Sequence, residues 1–313
     1  MTQIKIPVFS QAQVEQRTGL SREVLRKWEL RYGFPQPGRG ARGQRHYSSN
    51  DVHKLELISR LLRQDLRAGT LVALPVAALQ ALHDEYSTQT GQNRPPPETL
   101  TQATHTLLES LLPGHSLEAT GLFLQSQLLV HGLDNFVAHL MPAFNLAVGE
   151  AWLDQRLSIA AEHHYTATLR QVVLRALPEP SLNIKLPQVL LTTPPGELHS
   201  LGLLALHAQL SLEGAHCINL DCQLPATEVL RVVHDFQVGV VAVSASGCMP
   251  ALEFTHYVDA LTRTLPEDCT LWLGGQGCAA LNLKEGMNCT LFKDTSQAVR
   301  HWLSLAKAHR ECV

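Results

Sequence analysis

The chain has 313 residues, 45% hydrophobic and 17% charged, long enough for two or three hydrophobic cores. It has no apolar run near the ~20 residues that a membrane-spanning helix needs. The opening MTQIKIPVFSQ lacks the apolar core of a secretory signal, so the expectation is a cytoplasmic chain.

The head is basic. Residues 1–75 hold 13 Lys and Arg against 6 Asp and Glu, a charge of +7, while the whole chain is at −3. A basic head on an acidic body predicts a polyanionic partner for the head alone. Residues Gln11 to Gln16 predict a short helix, followed by a tight turn at Thr18-Gly19. In RTGLSREVLRKWELRYGF, Ser21 is an N-cap and Glu23 sits in the positive first turn. Leu20 and Leu25 have staple spacing. Val24, Leu25 and Trp28 form an inner face. Arg22 with Arg26, and Lys27 with Arg31, place cations outside. The pattern is a helix-turn-helix whose second helix suits a major groove. The glycine-rich PQPGRGARGQRHYS, with Arg39, Arg42, Arg45 and a closing Tyr47, reads as a wing that tracks phosphates. Ser48 then caps a third helix, with Asp51 at the box position and Val52, Leu55, Ile58 and Leu62 on one face.

The order GLSREVLRKWELRYGFPQP…RGQRHYSSNDV resembles the winged-helix DNA-binding domain of the MerR family. The resemblance implies double-stranded operator DNA as partner. It implies Ser21, Arg22, Arg26, Lys27, Arg31, Tyr32, Arg39, Arg42, Arg45 and Tyr47 as the DNA-binding set. That family often carries a long dimerisation helix after the head. Here Pro75 interrupts it, and residues 76–98, ending in STQTGQNRPPPE, read as a linker. Dimerisation is then expected from elsewhere. No cysteine lies near the end of the head, so the family's metal-sensing mode is not expected.

Residues 99–184 repeat helical spacing: Leu107, Leu108 and Leu111; Leu122, Leu124, Leu128 and Leu129; Val137, Leu140 and Phe144. They predict a four-helix bundle. Within EAWLDQRLSIAAEHHY, Trp152 and His163 are eleven residues apart, about three turns. One regular helix would set them on one face, ~16 Å apart, with Glu162 beside it. By spacing alone, a core Trp with surface polar residues fits equally.

Residues 185–313 change period. The runs QVLLTT, HCINL, VGVVAVS, LWLGG and CTLF alternate with helical patterns and predict a Rossmann-like five-stranded parallel sheet with helices on both faces. Ligands in such sheets lie at the C-terminal strand ends. His199, in PPGELHSLG after the first run, can be a ligand, a base or an ordinary loop histidine. Glu197 is close enough to hold one ring nitrogen, and Gly202 allows close helix approach. Ser244, Gly274 and Gly275 at neighbouring strand ends leave a slot for a flat or slender group. The seven cysteines (217, 222, 248, 269, 278, 289, 312) contain no CxxC pair, so reduced, mostly buried thiols are expected.

The triple ExHxxG, SxS and GG resembles the cobalamin-binding domain of methionine synthase, of mutases and of some regulators. It implies His199 as the lower axial ligand of cobalt, in place of the cofactor's benzimidazole. The displaced tail would lie by Ser244, Ser246, Gly274 and Gly275. Glu197 stands where Asp is commoner, and Ser246 where Thr or Leu is. The set Trp, nine residues, Glu-His resembles light-sensing cobalamin repressors of the CarH/LitR type. That resemblance implies adenosylcobalamin, with Trp152 over its upper face, Glu162 bonding the adenosyl group and His163 lining the cap. Relatives can carry a cobalt-capturing His directly after this Trp. Here it is Leu153, which cannot ligate; His163, His164 or water replaces it, or the light response differs.

The whole implies an adenosylcobalamin-dependent, light-responsive transcriptional repressor. It would bind DNA as a homodimer or homotetramer in the dark and release it after Co–C photolysis. The alternative is a regulator of the same architecture that senses cobalamin, or a protein antirepressor, without a light switch. No nucleophile–base pair or phosphate loop stands out, and a carrier enzyme has no need of a basic winged helix, so the chain reads as a regulator and not an enzyme.

Overall fold

A computed structural model describes residues 8–18, 20–40, 43–62, 66–89, 95–178, 186–281 and 288–311. The chain divides into two units, Met1–Gln92 and Asn93–Val313.

In the first unit, β1 (Val8–Ser10) leads into α1 (Gln11–Thr18) and α2 (Arg22–Tyr32). Ser21 caps α2 by accepting from the Val24 amide, and Gly33 closes it at φ 68°, donating to the Glu29 carbonyl. Leu25 and Trp28 bury the inner face, as the spacing predicts. They join Phe9, Val14, Tyr47, Leu55 and Ile58 in one core. The wing is the hairpin of β2 (Gly38–Arg39) and β3 (Arg45–Ser48), and β1 pairs on the other side of β3 to complete a small antiparallel sheet. Ser48 Oγ accepts from the Asp51 amide and bonds its carboxylate, which starts α3 (Ser49–Leu62).

After α4 (Ala68–Ala73), residues 76–89 are not linker. They form α5 (Val76–Gln89). Pro75 begins this helix, its carbonyl accepting from the Leu79 amide. Proline lacks the N–H that a helix start leaves unpaired, so it is suited to that place. Val76, Leu79 and Leu82 recur at helical spacing; Leu79 is buried and its neighbours pack on the same core. Of the expected linker, residues 90–94 lie outside the described residues.

The second unit begins with the expected bundle: α6 (Pro97–Ser110), α7 (Leu117–Asn135), α8 (Met141–Leu153) and α9 (Ile159–Ala176). One π turn, Phe136–Leu140, joins α7 to α8. Leu107, Leu124, Phe136, Phe144, Tyr165 and Leu169 form its core, and Leu204 and Ala208 of α10 (Leu201–Leu212) complete it. Trp152 and His163 do not share a helix. The chain turns at Asp154–Gln155, with Gln155 at φ 60°, and Leu157 is buried. Ser158 then caps α9 by accepting from the Ala161 amide at 3.1 Å.

The five apolar runs become β4 (Gln188–Thr192), β5 (Cys217–Asn219), β6 (Val238–Ser244), β7 (Thr270–Gly274) and β8 (Cys289–Leu291). All adjacent pairs are parallel, in the order β5-β4-β6-β7-β8. Helices α11 (Ala226–Phe236) and α12 (Ala251–Thr264) cover one face, and α10 and α13 (Thr295–Glu311) the other. No helix among the described residues is long and apolar enough to cross a membrane.

Phe144 is fully buried and stacks edge-on with Phe136 at 6.2 Å. Phe144→Ala leaves a cavity costing about 3–5 kcal/mol. The expected outcome is a lower urea midpoint of the helical signal, measured by far-ultraviolet circular dichroism.

Candidate functional site

The strand order reverses between β4 and β6: the chain leaves β4 for β5 on one side and then crosses to β6 on the other. Loops after these two strands therefore flank a crevice at the C-terminal edge of the sheet. The loop after β4 carries Glu197 and His199. Glu197 is 2% exposed, and its carboxylate is fully engaged. Oε1 accepts from the His199 amide at 2.8 Å and lies 2.6 Å from His199 Nδ1. Oε2 accepts from the Ser246 amide, in the loop after β6, at 2.7 Å. Burial pushes the Glu197 carboxyl up, but the bonds from His199 and Ser246 outweigh it and hold it below its ordinary value.

An ionised carboxylate can only accept, so Nδ1 of His199 is the donor. In the neutral ring the lone pair is then on Nε2, which has no protein partner among the described residues. The ring is 65% exposed and Ser246 Oγ flanks Nδ1 at 3.2 Å. Such a histidine is prepared to ligate a metal. Thr193, fully buried, stitches the loop further: its hydroxyl donates to the Glu197 carbonyl and accepts from the Gln223 amide.

Beside this loop lies a cleft of about 210 Å³, whose walls include Gly202, Ser244, Gly274, Gly275 and Trp272. A Cβ on Gly274 would enter open space, and one on Gly202 would come 3.8 Å from Ser244 Oγ. Side chains there would occupy the cleft. Gly275, at φ 91°, is required for a different reason: its Cβ would sit 2.2 Å from the Ala245 carbonyl oxygen. A narrow, mainly apolar slot beside an exposed histidine fits a cofactor tail and a metal ligand. The Glu197–His199–Ser246 set and the Ser244–Gly274–Gly275 set are thus brought to one edge of the sheet.

Of the residues expected on the cap, Trp152 and His163 are exposed on the bundle and Glu162 is half-buried. Glu162 Oε2 lies 2.7 Å from His163 Nδ1, and Oε1 accepts from the Thr166 hydroxyl at 2.8 Å. Trp152 lies in the last turn of α8 and is exposed, as is Leu153, its last residue, at 71%. His164 Nε2 is occupied by the Leu117 carbonyl at 2.9 Å. The thiols depart from expectation: among the described cysteines only Cys269 is buried, and Cys248, in the loop beside Ser246, is exposed. The other four described cysteines are half-buried, and burial still pushes the thiols of Cys217 and Cys269 up to about 12 and that of Cys278 up to about 11.

On the head, Arg22, Arg26, Lys27 and Arg31 line the exposed side of α2, and Arg39 is exposed on the wing. Ser21 is the cap described above, and Tyr32 is half-buried under the Arg31 guanidinium. Arg45 is committed to Glu29, donating through Nε and Nη2 at 3.3 and 3.2 Å, which ties the wing to α2. Tyr47 is not a surface contact. It is 1% exposed, because β3 turns it into the head's core, and burial raises its pKa. Arg42 lies outside the described residues.

Residues 9–71 match the family described as MerR HTH family regulatory protein, and residues 187–297 match the B12 binding domain. The chain is similar to the HTH-type transcriptional repressor CarH of Myxococcus xanthus, 28% identical over 266 residues, covering 82% of this chain and 85% of that one. It is also similar to the repressor CarA of the same organism, 26% identical over 258 residues, covering 81% and 82%. Among solved structures, the Methanosarcina barkeri monomethylamine corrinoid protein aligns with a TM-score of 0.47 at 14% identity, over 63% of this chain and 95% of that one.

The depressed Glu197 carboxyl gives a signed pH dependence. Its stabilisation is present above the ordinary value of 4.5 and is lost as pH falls through the lower folded value. Glu197→Gln removes that titration. The expected outcome is a shallower loss of thermal stability below about pH 5 than in the unsubstituted protein; coincident acid limbs would refute the charged-carboxylate assignment.

Proposed function

We propose, for a chain that joins a MerR-type helix-turn-helix region to a B12-binding domain, that it is a cobalamin-dependent transcriptional repressor whose DNA binding responds to light. The observation that carries this is the Glu197–His199 pair, with Nε2 left without a protein partner beside a glycine-floored slot.

His199 would hold the cobalt through its Nε2 lone pair. Glu197 keeps the proton on Nδ1 and fixes the ring plane. Gly202, Ser244 and Gly274 leave room for the cofactor's tail. Trp152 offers an exposed ring face for the cap, Glu162 a carboxylate acceptor and His163 a ring nitrogen. When bound, adenosylcobalamin supplies a cobalt–carbon bond that light can break. Arg22, Arg26, Lys27, Arg31 and Arg39 would neutralise operator phosphates. Joining several such heads in a dark-state homodimer or homotetramer raises affinity through effective concentration. Ligand state then controls repression by its different affinity for the assembled and separated forms. This is the work of a regulator; the named relatives that support it are repressors.

Leu153 supports a second reading. It stands exposed beside Trp152 and has no donor atom. A regulator that senses cobalamin, or a protein antirepressor, without a light switch fits that residue.

The test is an absorption spectrum with adenosylcobalamin in the dark and after green light, followed by sizing and operator binding. The expected result is a histidine-bound spectrum, its change on illumination, and loss of oligomer and of DNA binding. A bound cofactor with unchanged assembly would overturn the light switch and leave the cobalamin sensor. His199→Ala is expected to lose tight binding. In the head, Arg39→Ala is expected to lower the slope of log affinity against log salt by about 1, read from operator titrations.

A further inference from the structure

The helix that carries Glu162 and His163 is tied to the loop that carries His199, and one residue makes the tie. Arg170 lies on α9 seven residues after His163, two turns on and ~10 Å along the same helix face. Its guanidinium forks. Nη1 donates to Asp221 Oδ1 at 2.7 Å, and Nη2 donates to Ser200 Oγ at 2.7 Å. Ser200 adjoins His199 and is 3% exposed. One guanidinium thus joins Ser200 and Asp221.

Asp221 is set up for this. It follows β5 in the left-handed region, at φ 59°, with its amide donating to Asn219 Oδ1 at 2.9 Å. Two residues later, Gln223 donates to Thr193 at the base of the His199 loop. The Leu224 amide also donates to the Thr193 carbonyl, so the loops after β4 and β5 are joined twice, and Arg170 fastens both to the bundle. A fork that meets a carboxylate and a hydroxyl at once is a task for guanidinium; an ammonium is a point charge.

We propose that Arg170 is a positioning residue, which fixes the His199 loop to α9 and so couples the two sides of the cofactor site. This rests on the reading of His199 as the cobalt ligand. Without the fork, Ser200 loses its donor, the His199 loop loses its only side-chain tie to α9 among the bonds described above, and the ring is presented less precisely.

The test uses the full chain with Arg170→Ala, Arg170→Lys and Arg170→Ala/Asp221→Ala. In ligand-free protein, Arg170→Ala is expected to speed amide hydrogen exchange in residues 193–201 and 219–224. In dark titrations with adenosylcobalamin followed by absorbance, affinity is expected to fall about 10- to 100-fold, as when a metal ligand loses its supporting partner. The double variant is expected to bind no more weakly than Arg170→Ala, since the two residues act through one contact. Arg170→Lys is expected to keep the thermal midpoint and still bind weakly. Unchanged exchange in the two loops would overturn the clamp. Faster exchange with unchanged affinity would overturn its link to His199, and wild-type affinity in Arg170→Lys would overturn the fork. If the unsubstituted protein binds no adenosylcobalamin, the proposed function falls, and the exchange measurement still decides whether Arg170 holds the loop.

Discussion

The Glu197 carboxylate is the constraint on which the site depends. A charge with 2% exposure is costly unless its lone pairs are met. Here they are met by two amides and a ring N–H, from two loops. Satisfying that one group therefore decides several things together: the tautomer of His199, the direction of its ring, and the distance between the loops after β4 and β6. Those strands are neighbours only because the sheet order reverses between them. The crevice that the topology creates is the place where the carboxylate is needed.

The remaining requirements follow from how close these loops lie. Ser246 contributes its amide to Glu197, so the chain just before it runs beside the turn after β7. Ala245 accepts from the Gly277 amide, and its carbonyl leaves no room for a Cβ on Gly275. Gly275 is thus required by backbone packing, whereas Gly274 and Gly202 keep the cleft open. The same GG pair answers two separate demands, and a substitution at each would fail for a different reason.

What was legible in the sequence was local. Glu197 and His199 are two residues apart, so their pairing could be read from spacing. The five strands announced themselves as apolar runs, and the Ser21 and Ser48 caps as short motifs. What was not legible depended on partners far along the chain or on signals that point two ways. Pro75 looks like an interruption, yet it is equally a helix start; only the burial of Leu79 decides for α5. Trp152 and His163 fit one helix by arithmetic, but Ser158 is a cap that restarts the count. Tyr47 follows a run of cations and looks like part of the wing, while strand alternation turns it inward. Arg170 and Thr193 carry no motif: Ser200 and Gln223, which they meet, lie 30 residues away from them, and only the fold brings them together.

The two histidine–carboxylate pairs are alike in chemistry and unlike in mechanics. Each presents a carboxylate to Nδ1 within 2.7 Å. Glu197 is held by groups from two loops of the sheet, with Thr193 and the Arg170 fork bracing the first. The Glu162 carboxylate, at 32% side-chain exposure, bonds only His163 and Thr166 of its own helix among the described residues. Turning the His163 ring breaks one bond within one turn of α9. Turning the His199 ring breaks its contacts with Glu197 Oε1 and Ser246 Oγ, which come from the loops after β4 and β6. In the proposed function the sheet side would be the fixed wall that retains the ligand, and α9 the adjustable wall that answers a change in it at small cost to the fold.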